Sequence, residues 1–71
     1  MTQIEINDKL NAIKRAGVVV KATSIIMDHP QVHISLDSES GGEVFYNPLM
    51  HPLSEWVGRV YDAMKAVGLI N

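Results

Sequence analysis

Three polar side chains that together could activate a nucleophile lie two residues apart in one segment: His33, Ser35 and Asp37. A serine nucleophile and its histidine base must come within about 2.6 to 3.2 Å. Apolar and polar residues alternate from Gln31 to Asp37, which predicts a strand with one wet face, and residues two apart on a strand are separated by about 6.6 Å. The three side chains therefore share a solvated strand face and do not form a catalytic triad.

Ligands for a metal ion are present but dispersed. The nitrogen and carboxylate ligands are His29, His33, His51, Asp28, Asp37, Glu39 and Glu43. No pair has the spacing of a helical metal motif, two of the histidines precede prolines, and the chain has no cysteine, which excludes a thiolate zinc site. We predict no metal, no cofactor, no small-molecule substrate and no catalytic residue, so the protein is not expected to be an enzyme.

The segment Pro52–Leu69 has the clearest helical pattern. Its apolar residues recur every three or four positions: Trp56, Val60, Ala63, Met64 and Val67. Pro52 suits a first helical position, and Gly68 suits the left-handed residue just after a helix. Val57 and Tyr61 form a second apolar column beside this stripe, and we assign that column to an oligomer interface.

A first helix is predicted from Gln3 to Ala16. The T-x-x-E pattern that begins at Thr2 is a capping box, and Gly17 follows the last turn. The alternative interpretation makes Gln3–Ile6 a short strand, with Asn7 as the cap of a shorter helix.

Three strands are predicted between the helices: Val18–Met27, Gln31–Asp37 and Glu43–Asn47. The glycines in Ser38–Gly42 suit a hairpin connection. The order α-β-β-β-α predicts a single α+β domain over residues 1–71, with a three-stranded antiparallel sheet and two helices packed on one of its faces.

This architecture leaves apolar side chains on the outer face of the sheet. If Lys21 faces water, the same face carries three apolar residues of the first strand: Val19, Ile25 and Met27. Either Phe45, or Val44 and Tyr46, must join them. Because a domain of this size buries only about 60% of its unfolded surface, cover from a second copy or a partner would add needed stability.

Acidic residues are concentrated in the second and third strands and their loop. Residues 22–58 contain no Lys or Arg, and the acids of this hairpin are Asp37, Glu39 and Glu43. One interpretation is a solvated hairpin whose charges discourage edge pairing; the other is an acidic edge that attracts a basic partner. We predict a partner-binding surface formed by these acids together with Val19, Ile25 and Met27.

The element order over the whole chain resembles that of the double-stranded-RNA-binding domain. Pro30 and His33 correspond to the proline-and-histidine loop of that family, but the second helix opens with HPLSEW in place of a lysine cluster, and Arg59 and Lys65 are its only basic residues. The resemblance implies an alternative function in binding nucleic acid through Lys9, Lys14, Arg15 and Lys21. The net charge of −2 argues against it.

The leading hypothesis is therefore a non-catalytic protein–protein interaction module, a small acidic adaptor, regulator or inhibitor that self-associates as a homo-oligomer. No apolar run reaches the roughly 18 to 20 residues of a membrane-spanning helix, and the start MTQIEINDK lacks the pattern of a signal peptide. We expect a cytoplasmic protein with no membrane contact.

Overall fold

The computed structural model describes residues 1–22 and 32–70. Its elements in chain order are helix α1 (Gln3–Arg15), strands β1 (Val18–Ala22), β2 (His33–Asp37) and β3 (Gly41–Tyr46), and helix α2 (Leu53–Ala66). The predicted α+β class and element order are confirmed. In this part of the chain, neither helix has the length and apolarity that crossing a membrane requires.

Helix α1 begins and ends where the local signals place it. The Thr2 hydroxyl oxygen accepts the backbone N–H of Glu5 at 3.2 Å, which satisfies one of the free donors at the helix start. After Ala16, Gly17 adopts a positive φ of 83° and turns the chain toward β1. The alternative strand at residues 3–6 is wrong, because these residues form the first turn of α1.

The sheet is mixed, and the prediction of a purely antiparallel sheet is wrong. The strand order is β1-β3-β2, with β3 parallel to β1 and antiparallel to β2. The hairpin of β2 and β3 turns back toward β1, so β3 occupies the centre and is hydrogen-bonded on both sides. A glycine permits this arrangement, because a Cβ atom at Gly41 would lie only 2.6 Å from the carbonyl oxygen of Gly17.

One face of this sheet carries the core, and both helices pack on it, as predicted. The strands direct Val18, Val20, Ile34, Leu36, Val44 and Tyr46 toward the helices, which contribute Ile13, Trp56, Val57, Val60 and Met64. The sequence left open whether Phe45, or Val44 and Tyr46, lies on the outer face of the sheet. In the structure Val44 and Tyr46 face the helices, and Phe45 faces outward with Val19.

Helix α2 is one residue shorter at each end than the predicted helix, which began at Pro52 and ended just before Gly68. Pro52 is the N-cap residue, and the last helical residue is Ala66. Gly68 has a φ of 84°, and the N–H of Leu69 bonds to the carbonyl of Met64 at 2.9 Å, so these residues cap the helix. The predicted extension of the first strand to Met27 lies outside the described residues.

Candidate functional site

The outer face of the sheet is organised as two rows that run across the strands. One row contains Lys21, Phe45 and His33, and the next contains Val19, Glu43 and Ser35. Both helices lie on the opposite face, and none of the elements described for residues 1–22 and 32–70 covers these rows. This surface, which we call the outer sheet face, carries two of the predicted partner-binding residues, Val19 and Glu43.

Phe45 is at the centre of the first row and is held from both sides. The Lys21 ammonium lies 5.4 Å from its ring centre, within the range of a cation–π contact, and the His33 ring is 6.1 Å away at a tilt of 49°. These neighbours leave Phe45 half-buried, and they fix its ring in the middle of the outer sheet face.

The second row combines an apolar side chain with an ion pair. Val19 is 48% exposed. On the neighbouring strand, Glu43 lies 3.8 Å from the Lys21 nitrogen, and about half of each charged side chain remains open to solvent, at 51% and 50%. An exposed pair of this kind contributes little stability by itself, so both charges retain capacity for a further partner.

The acidic hairpin is partly engaged within the chain. The Asp37 carboxylate accepts the Glu39 backbone N–H at 2.9 Å and the Ser40 hydroxyl at 3.0 Å, and these two hydrogen bonds lower the pKa of Asp37. Glu43 pairs with Lys21. Of the three predicted acids, Glu39 alone has a carboxylate that accepts no hydrogen bond and forms no ion pair within the described part of the chain. Asp37 thus stabilises the turn as well as contributing charge.

The remaining predicted contact residues do not join this face. Val57 is fully buried in the core, at 0% exposure. A side chain without exposed area cannot contact a second chain, so Val57 belongs to the core and its assignment to an oligomer interface is corrected. Tyr61 lies in the helical layer, with Lys9 and Lys65 4.9 and 5.1 Å from its ring centre. Ile25 and Met27 lie outside the described residues.

The two helices run in the same direction on the inner face. At one end, the terminal methyl of Met1 would be 3.4 Å from a Cβ atom at Gly58; further along, Lys9 lies over Tyr61. Both helices consequently begin at the same end of the molecule.

Five exposed apolar residues near the starts of the two helices were not predicted: Met1, Ile4, Leu49, Met50 and Leu53, of which Leu49 is 84% and Ile4 73% exposed. We call this group the helix-start patch. The sequence feature that could have predicted this exposure is the apolar pair Leu49 and Met50. The pair lies in a connection bounded by two prolines, outside any helix or strand that would direct it into the core.

The residues considered for a catalytic triad or a metal site do not form a site in the described part of the chain. His33, Ser35 and Asp37 are all exposed on one strand, which confirms the solvated face. His51, predicted as a turn or surface histidine, lies in the bend before α2 and is buried, and its Nδ1 lies 3.2 Å from the Glu55 carboxylate. Within residues 1–22 and 32–70, no three His, Asp or Glu side chains converge as metal ligands.

The basic residues of the nucleic-acid alternative are divided between two sides of the sheet. Lys9, Lys14 and Arg15 belong to α1, which packs on the inner face, whereas Lys21 lies on the outer sheet face beside Glu43. The parallel pairing of β1 with β3 also departs from the sequential antiparallel sheet predicted together with that resemblance.

The chain matches no known family model, and no curated protein or solved structure shows a match to it. The assignment of function therefore depends on the geometry of the described surfaces.

Proposed function

We propose that this chain is a non-catalytic protein–protein interaction module that self-associates through the outer sheet face. The observation that carries the proposal is the position of Val19 and Phe45, two outward apolar side chains beside the half-exposed pair Lys21–Glu43, on a face that no described element covers. A second sheet stacked about 10 Å away would remove these apolar groups from water.

The size of the chain supports the same proposal. A core in a domain of 71 residues supplies roughly 3 to 5 kcal/mol. Association stabilises the folded state further, by an amount that grows with the protein concentration relative to the dissociation constant. A small cytosolic adaptor, regulator or inhibitor would gain both stability and specificity from such a surface.

Sedimentation equilibrium of the wild-type chain and of Val19→Asp tests the proposal. We expect a concentration-dependent dimer for the wild type and a monomer for the variant, because a buried, unpaired carboxylate opposes association. Val19 is half-exposed at a sheet edge, so circular dichroism should show an unchanged fold.

Ile4→Asp is the matched control, since it makes the same substitution at a more exposed apolar residue in the helix-start patch. It should leave the dimer intact. A wild-type chain that stays monomeric at all concentrations would contradict self-association, and dissociation by Ile4→Asp alone would place the interface at the helix-start patch. A salt-sensitive shift on duplex RNA, in a chain that stays monomeric, would favour the nucleic-acid alternative.

A further inference from the structure

We infer that the occupant of the outer sheet face is a second copy of this chain, related by a two-fold axis that runs along the line from Val19 to Phe45. Lys21 of each copy then faces Glu43 of the other. The inference rests on the proposed self-association and specifies its geometry.

The register of β1 and β3 defines a block of four outward side chains. Val19 lies beside Glu43, and Lys21 lies beside Phe45. The sides of this block are about 4.8 Å between strands and about 6.6 Å along them. One diagonal, from Val19 to Phe45, is apolar; the other, from Lys21 to Glu43, carries opposite charges.

The two-fold axis of a symmetric face-to-face contact lies in the plane of the contact and exchanges the positions on either side of it. An axis along the apolar diagonal places Val19 on Val19 and Phe45 on Phe45, and it twice brings Lys21 to within about 2.5 Å of the position opposite Glu43. Within the block, the residues that meet a copy of themselves are therefore the apolar Val19 and Phe45, and the charged Lys21 and Glu43 each meet the opposite charge.

Each other simple axis through this block of four residues creates an unfavourable contact. An axis along the charged diagonal sets Lys21 against Lys21 and Glu43 against Glu43. An axis along β3 again opposes Glu43 to itself and sets Lys21 against His33. An axis parallel to the strands and midway between β1 and β3 sets Lys21 against Phe45 and Glu43 against Val19. An axis perpendicular to the strands and midway between the two rows sets Lys21 against Val19 and Glu43 against Phe45. Both axes remove charge from water without a partner.

The favoured axis also gives an accepted way of packing two sheets. The apolar diagonal makes an angle of about 35° with the strands, so the strands of the two copies would cross at about 70°, near the orthogonal class. Since Lys21 and Glu43 are each half-exposed, the pair within each copy can persist and combine with its symmetry mate into a network of four charges.

Charge reversal provides the test. Lys21→Glu gives a chain with two acids on the charged diagonal, and Glu43→Lys gives one with two bases. Each variant alone should dimerise at least about tenfold more weakly than the wild type, because both interchain pairs become repulsive. An equimolar mixture of the two should recover the dimer as a heterodimer, in which every cross-contact is again between opposite charges.

Two further chains serve as controls, measured by the same sedimentation experiment and by native mass spectrometry. Lys14→Glu and Asp62→Lys change the net charge equally but lie on the helices, so they should dimerise like the wild type both alone and mixed. A chain that carries both Lys21→Glu and Glu43→Lys restores all pairs and should form a homodimer, which shows that the reversed side chains are compatible with folding.

The outcomes separate the inference from the proposed function. A monomeric wild type would overturn the proposed self-association. A dimeric wild type, combined with single variants that still dimerise fully or with a mixture that remains monomeric, would overturn only the diagonal two-fold geometry.

Discussion

Tyr46 stacks on Trp56 in the core, with ring centroids 4.5 Å apart and planes inclined by 27°. The contact joins the last residue of β3 to the first turns of α2. The connection between them is tight, because the Asn47 carbonyl accepts the N–H groups of Met50 at 3.1 Å and His51 at 2.9 Å. Trp56 therefore links the sheet to the helix that covers it.

Trp56→Ala should unfold the protein. Removing a buried tryptophan costs about 3 to 5 kcal/mol, which equals the roughly 3 to 5 kcal/mol that a core of this size supplies. Trp56→Phe should still fold, because it keeps an aromatic ring against Tyr46 and removes an indole N–H that has no acceptor in the described part of the chain. Urea unfolding followed by circular dichroism compares the two, with Val67→Ala at an exposed site as the control. Equal stability of the alanine and phenylalanine variants would contradict the role of the stack.

Gly41→Ala should be more destabilising than Gly68→Ala. Both glycines have similar positive φ angles, 89° and 84°, so the left-handed strain is shared by both substitutions. At Gly41 the new Cβ would also lie 2.6 Å from the Gly17 carbonyl oxygen, whereas nothing lies within 4 Å of it at Gly68. We expect about 1 to 2 kcal/mol for Gly68→Ala and a larger loss for Gly41→Ala in urea titrations. A smaller loss at Gly41 would mean that β3 does not approach Gly17 this closely.

Features set by neighbouring residues were predictable from the sequence. The Thr2 cap, the Gly17 and Gly68 turns and the alternation of β2 each depend on a few adjacent residues, and the structure confirms them. The outward position of Val19 followed from the two-residue period of a strand, because a shift of one residue would have exposed Val18.

Strand order and the burial of Val57 depend on contacts between distant segments. In a hairpin of β2 and β3, either strand can pair with β1. Here β3 does so, and the close approach of Gly41 to Gly17 that favours this pairing has no local signature in the sequence. The second apolar column on α2, Val57 and Tyr61, predicts that another element packs against it. The periodicity of the sequence does not tell whether that element is α1 or part of another chain. Here Val57 is buried within the chain itself, in the same core cluster as Ile13 of α1 and Val44 of β3.

Thr2→Ala should cost about 1 kcal/mol, because the hydroxyl that accepts the Glu5 N–H is lost and this donor has no other acceptor in the described part of the chain. Ser54→Ala is the matched control. Ser54 is an exposed hydroxyl residue in the first turn of α2, a helix whose N-cap makes no side-chain hydrogen bond. Its loss should change the free energy of unfolding by less than about 0.5 kcal/mol. Equal effects of the two substitutions in urea unfolding would contradict the capping role of Thr2.

Asp37 should titrate below the ordinary value of about 3.9 for an aspartate. The Glu39 backbone N–H and then the Ser40 hydroxyl donate to its carboxylate and favour the charged form, which lowers its pKa in the folded state. A carboxyl group whose pKa is lowered by folding adds stability above its unfolded pKa. That contribution is lost as the pH falls through the folded value, in the range below about pH 4.

Ser40→Ala should raise the Asp37 pKa only part of the way, because the Glu39 N–H still donates. Ser38→Ala, which changes the neighbouring hydroxyl without removing either hydrogen bond to Asp37, should leave the pKa unchanged. Carbon-detected NMR titration of the Asp37 side chain measures all three chains. An Asp37 pKa that is the same in the wild type and in Ser40→Ala would show that the Ser40 hydroxyl does not donate to Asp37 in solution.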